Sequence, residues 1–204
     1  MRPASCSITA SSRLGEVELA SSAFGQAMAV TPLQVCTAIS AAVNGGYLVT
    51  PHVVDKITDQ NGNVVQEIGT NIRRQVISES ASETIRQIME FEVGDGTQGG
   101  GGNAYVAGYR IGGKSGTSQK LDSANEGARI ASFVSVAPID DPKVAVLVCL
   151  DEPHSWTTSG GALSGAGVRR GTGERCCRIV GGEEGKRRNK DRPGDGRIWN
   201  LPLR

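Results

Sequence analysis

One ammonium and three hydroxyls stand within five residues of each other in Gly113-Lys114-Ser115-Gly116-Thr117-Ser118. Lys114, Ser115, Thr117 and Ser118 are the groups, and Gly116 separates them with a position that has no side chain. An ammonium flanked by hydroxyl donors binds an oxyanion, either a phosphate or a carboxylate. The span Gly108 to Ser115 fits G-x-x-x-x-G-K-[ST], in which backbone N–H groups wrap a phosphate and a helix opens at the Lys-Ser. Further on, Val144-Ala145-Val146-Leu147-Val148-Cys149-Leu150-Asp151-Glu152 has the form of a buried strand ending in two carboxylates, as a Walker B strand does.

The elements needed to position these groups separate the two chemistries. A phosphate loop requires an apolar strand before its first glycine and a helix after the lysine. Before Gly108 only residues 104–107 are mildly apolar, and after Ser115 comes Gly116 and a polar run with no 3.6-residue apolar period. Residues 130–137 and 144–150 read as strands. The link between them, Pro138-Ile139-Asp140-Asp141-Pro142-Lys143, is far too short for a parallel crossover and predicts an antiparallel hairpin. Residues 109–119 read as a third strand, beside the first of these. The expected fold class is therefore α+β with an antiparallel sheet, whereas nucleotide-binding sheets are parallel with helices between the strands. A P-loop nucleotide hydrolase is the remote alternative. On a strand, Lys114 can hold the terminal carboxylate of a peptide. Gly116 lets a peptide backbone lie against the strand edge and pair with it. Thr117 offers its hydroxyl to the carboxylate and its backbone N–H as half of an oxyanion hole.

With these residues in place, NAYVAGYRIGGKSGTSQK followed by IASFVSVAPIDDPKVAVLVCLDEP resembles the transpeptidase domain of class B penicillin-binding proteins, of the sporulation and cell-division type. SSAFGQAMAVTPLQ and AAVNGGYLVTPHVV resemble the same domain upstream, and the likeness runs from about residue 18 to about residue 163. The resemblance makes Lys114-Ser115-Gly116 the family's Lys-Thr/Ser-Gly motif. It implies catalytic roles for Lys114, Ser115, Gly116 and Thr117 and substrate contacts from Lys114, Ser115, Thr117 and Ser118. It also implies a partial transpeptidase fold shared with serine β-lactamases, and acyl transfer on the D-Ala-D-Ala end of a peptidoglycan stem peptide. β-Lactams would be inhibitors, no cofactor or metal is implied, and the full-length family is anchored on the extracytoplasmic face of the bacterial membrane.

The sequence departs from that family in one respect. The nucleophile is expected as Ser-x-x-Lys before the Lys-Ser-Gly strand, and no lysine here has serine three residues earlier. Ser123-Ala124-Asn125 spells the family's Ser-x-Asn, but after the strand rather than before it, and reads as a loop. The expectation is the C-terminal half of the domain without the nucleophile. The competing reading is a non-catalytic module that binds peptidoglycan or a partner.

The remaining elements follow from local signals. Thr31-Pro32-Leu33-Gln34 predicts a helix over 31–44, with Thr31 as N-cap, proline at the first helical position and Gln34 closing a capping box. Leu33, Cys36, Ile39 and Val43 form its apolar face, and Asn44-Gly45-Gly46 ends it. Residues 47–57 and 64–68 flank the turn Asp59-Gln60-Asn61-Gly62. Ser80-Ala81-Ser82-Glu83 reads as a capping box opening a helix over 80–92, with Ile85, Ile88 and Met89 on one face. The glycine run 94–102 predicts a mobile rim.

The 204 residues allow one domain with a core, at 38% hydrophobic and 4% aromatic composition. A net charge of +1 gives no global argument for nucleic acid or anionic membrane. No apolar run is long enough to span a bilayer, and no secretory signal is visible. Of five cysteines, Cys36 and Cys149 lie in apolar runs and read as core thiols. His52 and His154 read as surface or packing residues. Residues 1–17 are expected to be a ragged, unstructured start. Residues 164–204 hold 11 of the 22 Lys and Arg against 5 of the 21 Asp and Glu, with no helical or strand period. They are expected to be an out-of-frame or disordered tail.

Overall fold

The computed structural model describes residues 15–23, 25, 30–94, 100–120, 125, 127–155, 157–179 and 197–202, without the side chains of residue 18 and of residues from 170 onward. The described elements are α1 (Glu16–Ala23), α2 (Pro32–Val43), β1 (Tyr47–Val49), β2 (Lys56–Thr58), β3 (Val64–Glu67), β4 (Ile72–Gln75), α3 (Glu79–Val93), β5 (Gly112–Gln119), β6 (Arg129–Ala137), β7 (Val144–Asp151), α4 (Gly160–Ile179) and β8 (Arg197–Pro202). A single 3-10 turn, Gly102–Ala104, precedes β5.

The centre is an antiparallel sheet in the order β5-β6-β7-β8. β6 and β7 are apolar almost throughout because both of their faces are covered. On one face Phe133, Val146 and Val148 pack with Val93, Ala104, Ile111 and Val168 of α4. On the other, Val134, Val136, Ala145 and Leu147 pack with Cys36 and Val43 of α2 and Met89 of α3. α3 thus sends Val93 into one core and Met89 into the other. The pairs β5–β6 and β6–β7 run in unbroken register, with Lys114 opposite Val134 and Thr117 opposite Ala131. These are the predicted hairpin and its neighbouring strand, and the fold is the expected α+β arrangement of an antiparallel sheet flanked by helices.

α2 carries its predicted cap. Thr31 Oγ1 accepts the Gln34 backbone N–H at 3.3 Å, and Gln34 Oε1 accepts the Thr31 backbone N–H at 2.8 Å. Cys36 and Val43 are buried, while Leu33 at the first turn is 44% exposed.

Several local expectations are corrected. The single strand 47–57 is two strands. Pro51 interrupts it, β1 pairs with the unpredicted β4, and β2 pairs with β3. The turn between β2 and β3 closes as read: Asp59 accepts backbone N–H groups of Asn61 and Asn63 and the Asn63 side chain, which together hold its carboxyl below the usual range. α3 is capped by Ser78, whose Oγ accepts the Ala81 N–H at 3.2 Å, so Ser80 lies inside the helix rather than at its cap. Ile88, placed with the apolar face, is 62% exposed. The motif strand begins at Gly112 instead of residue 109.

Parts of the span 164–179 and 197–202 form regular elements that the sequence pattern does not show. α4 continues to Ile179, and β8 pairs antiparallel with β7 from Val144↔Pro202 to Cys149↔Arg197. The faces of α4 turned to the sheet and to the Gly100–Ala104 segment are built from small residues. Gly160, Gly161, Ser164 and Gly165 are buried there with Val168, and Ser164 Oγ donates to the Ala131 carbonyl at 3.0 Å. A stripe of glycine and serine has no apolar period, so close backbone packing makes this helix where hydrophobic pattern shows none. Residues 1–14, Ser123-Ala124 and, of the expected tail, 180–196 and 203–204 lie outside the described residues.

Candidate active site

Lys114, Ser115, Gly116, Thr117 and Ser118 all lie on β5, the end strand of the sheet, whose outer edge carries no strand among the described residues. Lys114 and Ser115 therefore sit inside a strand, not at the head of a helix, and the geometry of a phosphate loop is absent. Gly113 lies against the Phe133 ring: a Cβ built there would be 2.4 Å from it. At Gly116 a Cβ would fall 2.6 Å from Ser132 Oγ. These glycines let β5 lie tightly on its neighbour with its outer backbone open.

α4 starts against the same strand. The Gly160 N–H donates to Thr117 Oγ1 at 3.0 Å. The contact demands glycine, since a Cβ at Gly160 would lie 2.1 Å from the Gly116 carbonyl oxygen and one at Gly161 would lie 2.0 Å from the Gly100 oxygen. The positive end of the α4 dipole is thereby held at the β5 rim, where it favours an anion.

Lys114 is 60% exposed, and its Nζ donates to the Ser115 carbonyl at 3.1 Å and to Ser115 Oγ at 3.3 Å. Glu92 lies 3.5 Å from Lys114 Nζ and accepts from Ser115 Oγ at 3.3 Å. Motif reading alone misses Glu92, since the only signal for it is its place near the end of a helix that runs into the glycine segment. The described part of that segment is not the loose rim predicted. Gly101 is buried, donates its N–H to the Glu92 carbonyl at 3.1 Å, and stands against Phe133. Residues 95–99 lie outside the described residues.

Beyond the motif, Lys120 pairs with Asp151 at 3.0 Å and Glu152 at 2.8 Å, tying the end of β5 to the end of β7 and pushing the lysine pKa upward. Arg110 takes Glu90 through two hydrogen bonds of 2.7 and 2.8 Å at the approach to β5, and Glu90 first, then Asp140, hold its pKa above the ordinary arginine value. His52 and His154 are exposed. Among the described residues no group of three or more His, Cys, Asp or Glu is placed to hold a metal ion, and no helix is long and apolar enough to cross a membrane.

A lysine and two hydroxyls thus stand on an open strand edge at the start of a helix. The family model of the penicillin binding protein transpeptidase domain matches residues 6–170, and this chain belongs to that family. It is 43% identical over 158 residues to Stage V sporulation protein D of Bacillus subtilis, covering 74% of this chain and 24% of that protein. It is 35% identical over 158 residues to a probable peptidoglycan D,D-transpeptidase FtsI of Caulobacter vibrioides, again over 74% of this chain and 25% of the relative. Among solved structures, the apo transpeptidase domain of Burkholderia pseudomallei penicillin-binding protein 3 superposes with a TM-score of 0.67 at 29% identity, over 83% of this chain and 48% of that one. A ceftriaxone acyl-enzyme complex of penicillin-binding protein A from Mycobacterium tuberculosis shares the fold at TM-score 0.65 and 21% identity, over 76% of this chain and 35% of that one. The chain spans about a quarter of the length of these curated relatives.

Proposed function

We propose that this chain forms the substrate-anchoring part of a peptidoglycan D,D-transpeptidase site on the outer face of a bacterial cell membrane, and that it does not supply the nucleophile. The observation that carries this is β5 itself: Lys114 and Thr117 stand on a strand edge open to a peptide, with the first N–H of α4 donated to Thr117.

In this reading a stem peptide ending in D-Ala-D-Ala lies antiparallel along β5 and pairs with its free backbone groups. Lys114 and the hydroxyls of Thr117 and Ser115 or Ser118 take the terminal carboxylate. The Thr117 backbone N–H faces the carbonyl under attack and stabilises the oxyanion; losing one such donor costs about 100- to 1,000-fold in other acyl-transfer enzymes. The acylating serine and the lysine that moves its proton come from a Ser-x-x-Lys element that this sequence does not contain. Residues 18–163 are the part of the domain that carries this chemistry, and β-lactams would bind through the same carboxylate contact.

The test is a fused protein in which a Ser-x-x-Lys half domain from a relative precedes residue 18. It should label with a fluorescent penicillin. Lys114→Ala should slow the labelling several-fold, because a cation 60% exposed is partly screened and is worth about 1 kcal/mol. Labelling of Lys114→Ala at the unaltered rate would overturn the anchoring role. Absence of labelling in the fused protein, with binding of peptidoglycan by this chain alone, would favour the non-catalytic module.

A further inference from the structure

The last turn of α3 holds two carboxylates, Glu90 and Glu92, and no basic residue. Negative charge at a helix C-terminus opposes the helix dipole, so each needs a cation from elsewhere. Glu90 takes Arg110. Glu92 takes the motif: its Oε1 is 3.5 Å from Lys114 Nζ and 3.3 Å from Ser115 Oγ. Its side chain is only 25% exposed, and its backbone carbonyl is fixed by the Gly101 N–H. A Cβ at Gly100 would stand 3.1 Å from Glu92 Oε1, so Gly100 lies close against this carboxylate without displacing it.

We propose that Glu92 is a specificity-determining residue of this site, an internal carboxylate that occupies Lys114 and Ser115 until a ligand carboxylate displaces or shares it. This rests on the anchoring role of Lys114 proposed above. Two carboxylates on one ammonium repel each other, so an anion alone binds poorly. A ligand gains the position only if it also pairs its backbone along β5. The site thereby selects an extended peptide with a free terminal carboxylate over small anions, and over peptides whose gain would come from charge alone.

The whole chain suffices for the test. First, lysines are methylated with ¹³C-formaldehyde and the Lys114 signal is read without ligand, assigned through Lys114→Arg. Glu92→Gln should shift that signal and Glu92→Asp should keep it near the wild-type position. An unmoved Lys114 signal in Glu92→Gln would show that no pair exists and would overturn the inference while leaving the anchoring role intact. Second, backbone amide shifts of residues 112–119 are followed during titration with N-acetyl-D-Ala-D-Ala and with its C-terminal amide. The acid should bind Glu92→Gln about tenfold more tightly than the wild type, the scale set by removing a like charge a few ångströms away. Glu92→Asp should stay close to wild type, and the amide should gain nothing from either change. If the acid binds Glu92→Gln no better than wild type, whether both respond or neither does, the inference fails. Equal binding of the acid to Lys114→Ala and to wild type would instead remove the anchoring role, a result the first experiment does not depend on.

Discussion

At Gly160 a single missing Cβ lets a helix touch β5. Its N–H reaches Thr117, and any side chain would strike the Gly116 and Ser132 carbonyl oxygens. Gly160→Ala should therefore push the start of α4 away from β5 and destabilise the fold by about 1–3 kcal/mol, the usual cost of forcing an extra group into a packed interior. Chemical denaturation measures it, and an unchanged midpoint would show that the contact has slack. Cys36 carries a second prediction. Its buried thiol, whose Sγ–H points at the Ala145 carbonyl, is raised by loss of solvation from 9.0 to about 11. The folded chain thus keeps this proton to higher pH than the unfolded one does. The contribution of this thiol to stability is complete below pH 9 and is lost as pH rises through about 11. Cys36→Ala should flatten that alkaline decline in a series of thermal melts between pH 8 and pH 11. At pH 8 the native thiol should resist iodoacetamide and react once the chain is unfolded.

Elements differ in how plainly the sequence declares them. β6 and β7 are legible because nearly every position is apolar, and the six-residue link between them allows only a hairpin. α2 is legible because Thr31, Pro32 and Gln34 each have one role at a helix start. The motif on β5 is legible as chemistry, and its strand follows from what Gly116 prevents. α4 is not, because its contact face is glycine and serine and its partner lies 30 to 45 residues away in β5 and β6. β4 is missed for the opposite reason: Ile72–Gln75 is exposed throughout and owes its form to pairing with β1 alone. Glu92 is invisible as a site residue because its meaning comes from where α3 ends. Packing decides the energetics of these elements. Phe133 is fully buried and fills the space left by Gly113 and Gly101, so Phe133→Ala should cost about 3–5 kcal/mol. Ser78→Ala removes one cap bond and should cost about 1 kcal/mol. Denaturant titration of both variants should keep that order.

For the molecule as a whole, the missing Ser-x-x-Lys sets the first expectation. Incubation of the 204-residue chain with a penicillin should leave its intact mass unchanged, and an adduct mapped to any serine would show that a nucleophile exists here after all. The β2–β3 hairpin is exposed at every strand residue, so it is held by its own turn and pairing. Replacing residues 55–68 with a short glycine linker should move the melting temperature by no more than a few degrees.

α3 adds a property of a different kind. Met89 and Val93, one helical turn apart, belong to the two cores on opposite faces of the sheet. Neither face can open without pulling on the same helix, so slow amide exchange should be shared rather than layered. The central amides of β6, the α2 amides around Cys36 and those of α3 around Met89 should become deuterated at one common rate under conditions that favour rare, full opening. Met89→Ala should accelerate all three together, and with them the α4 amides around Val168 on the face that Met89 does not touch.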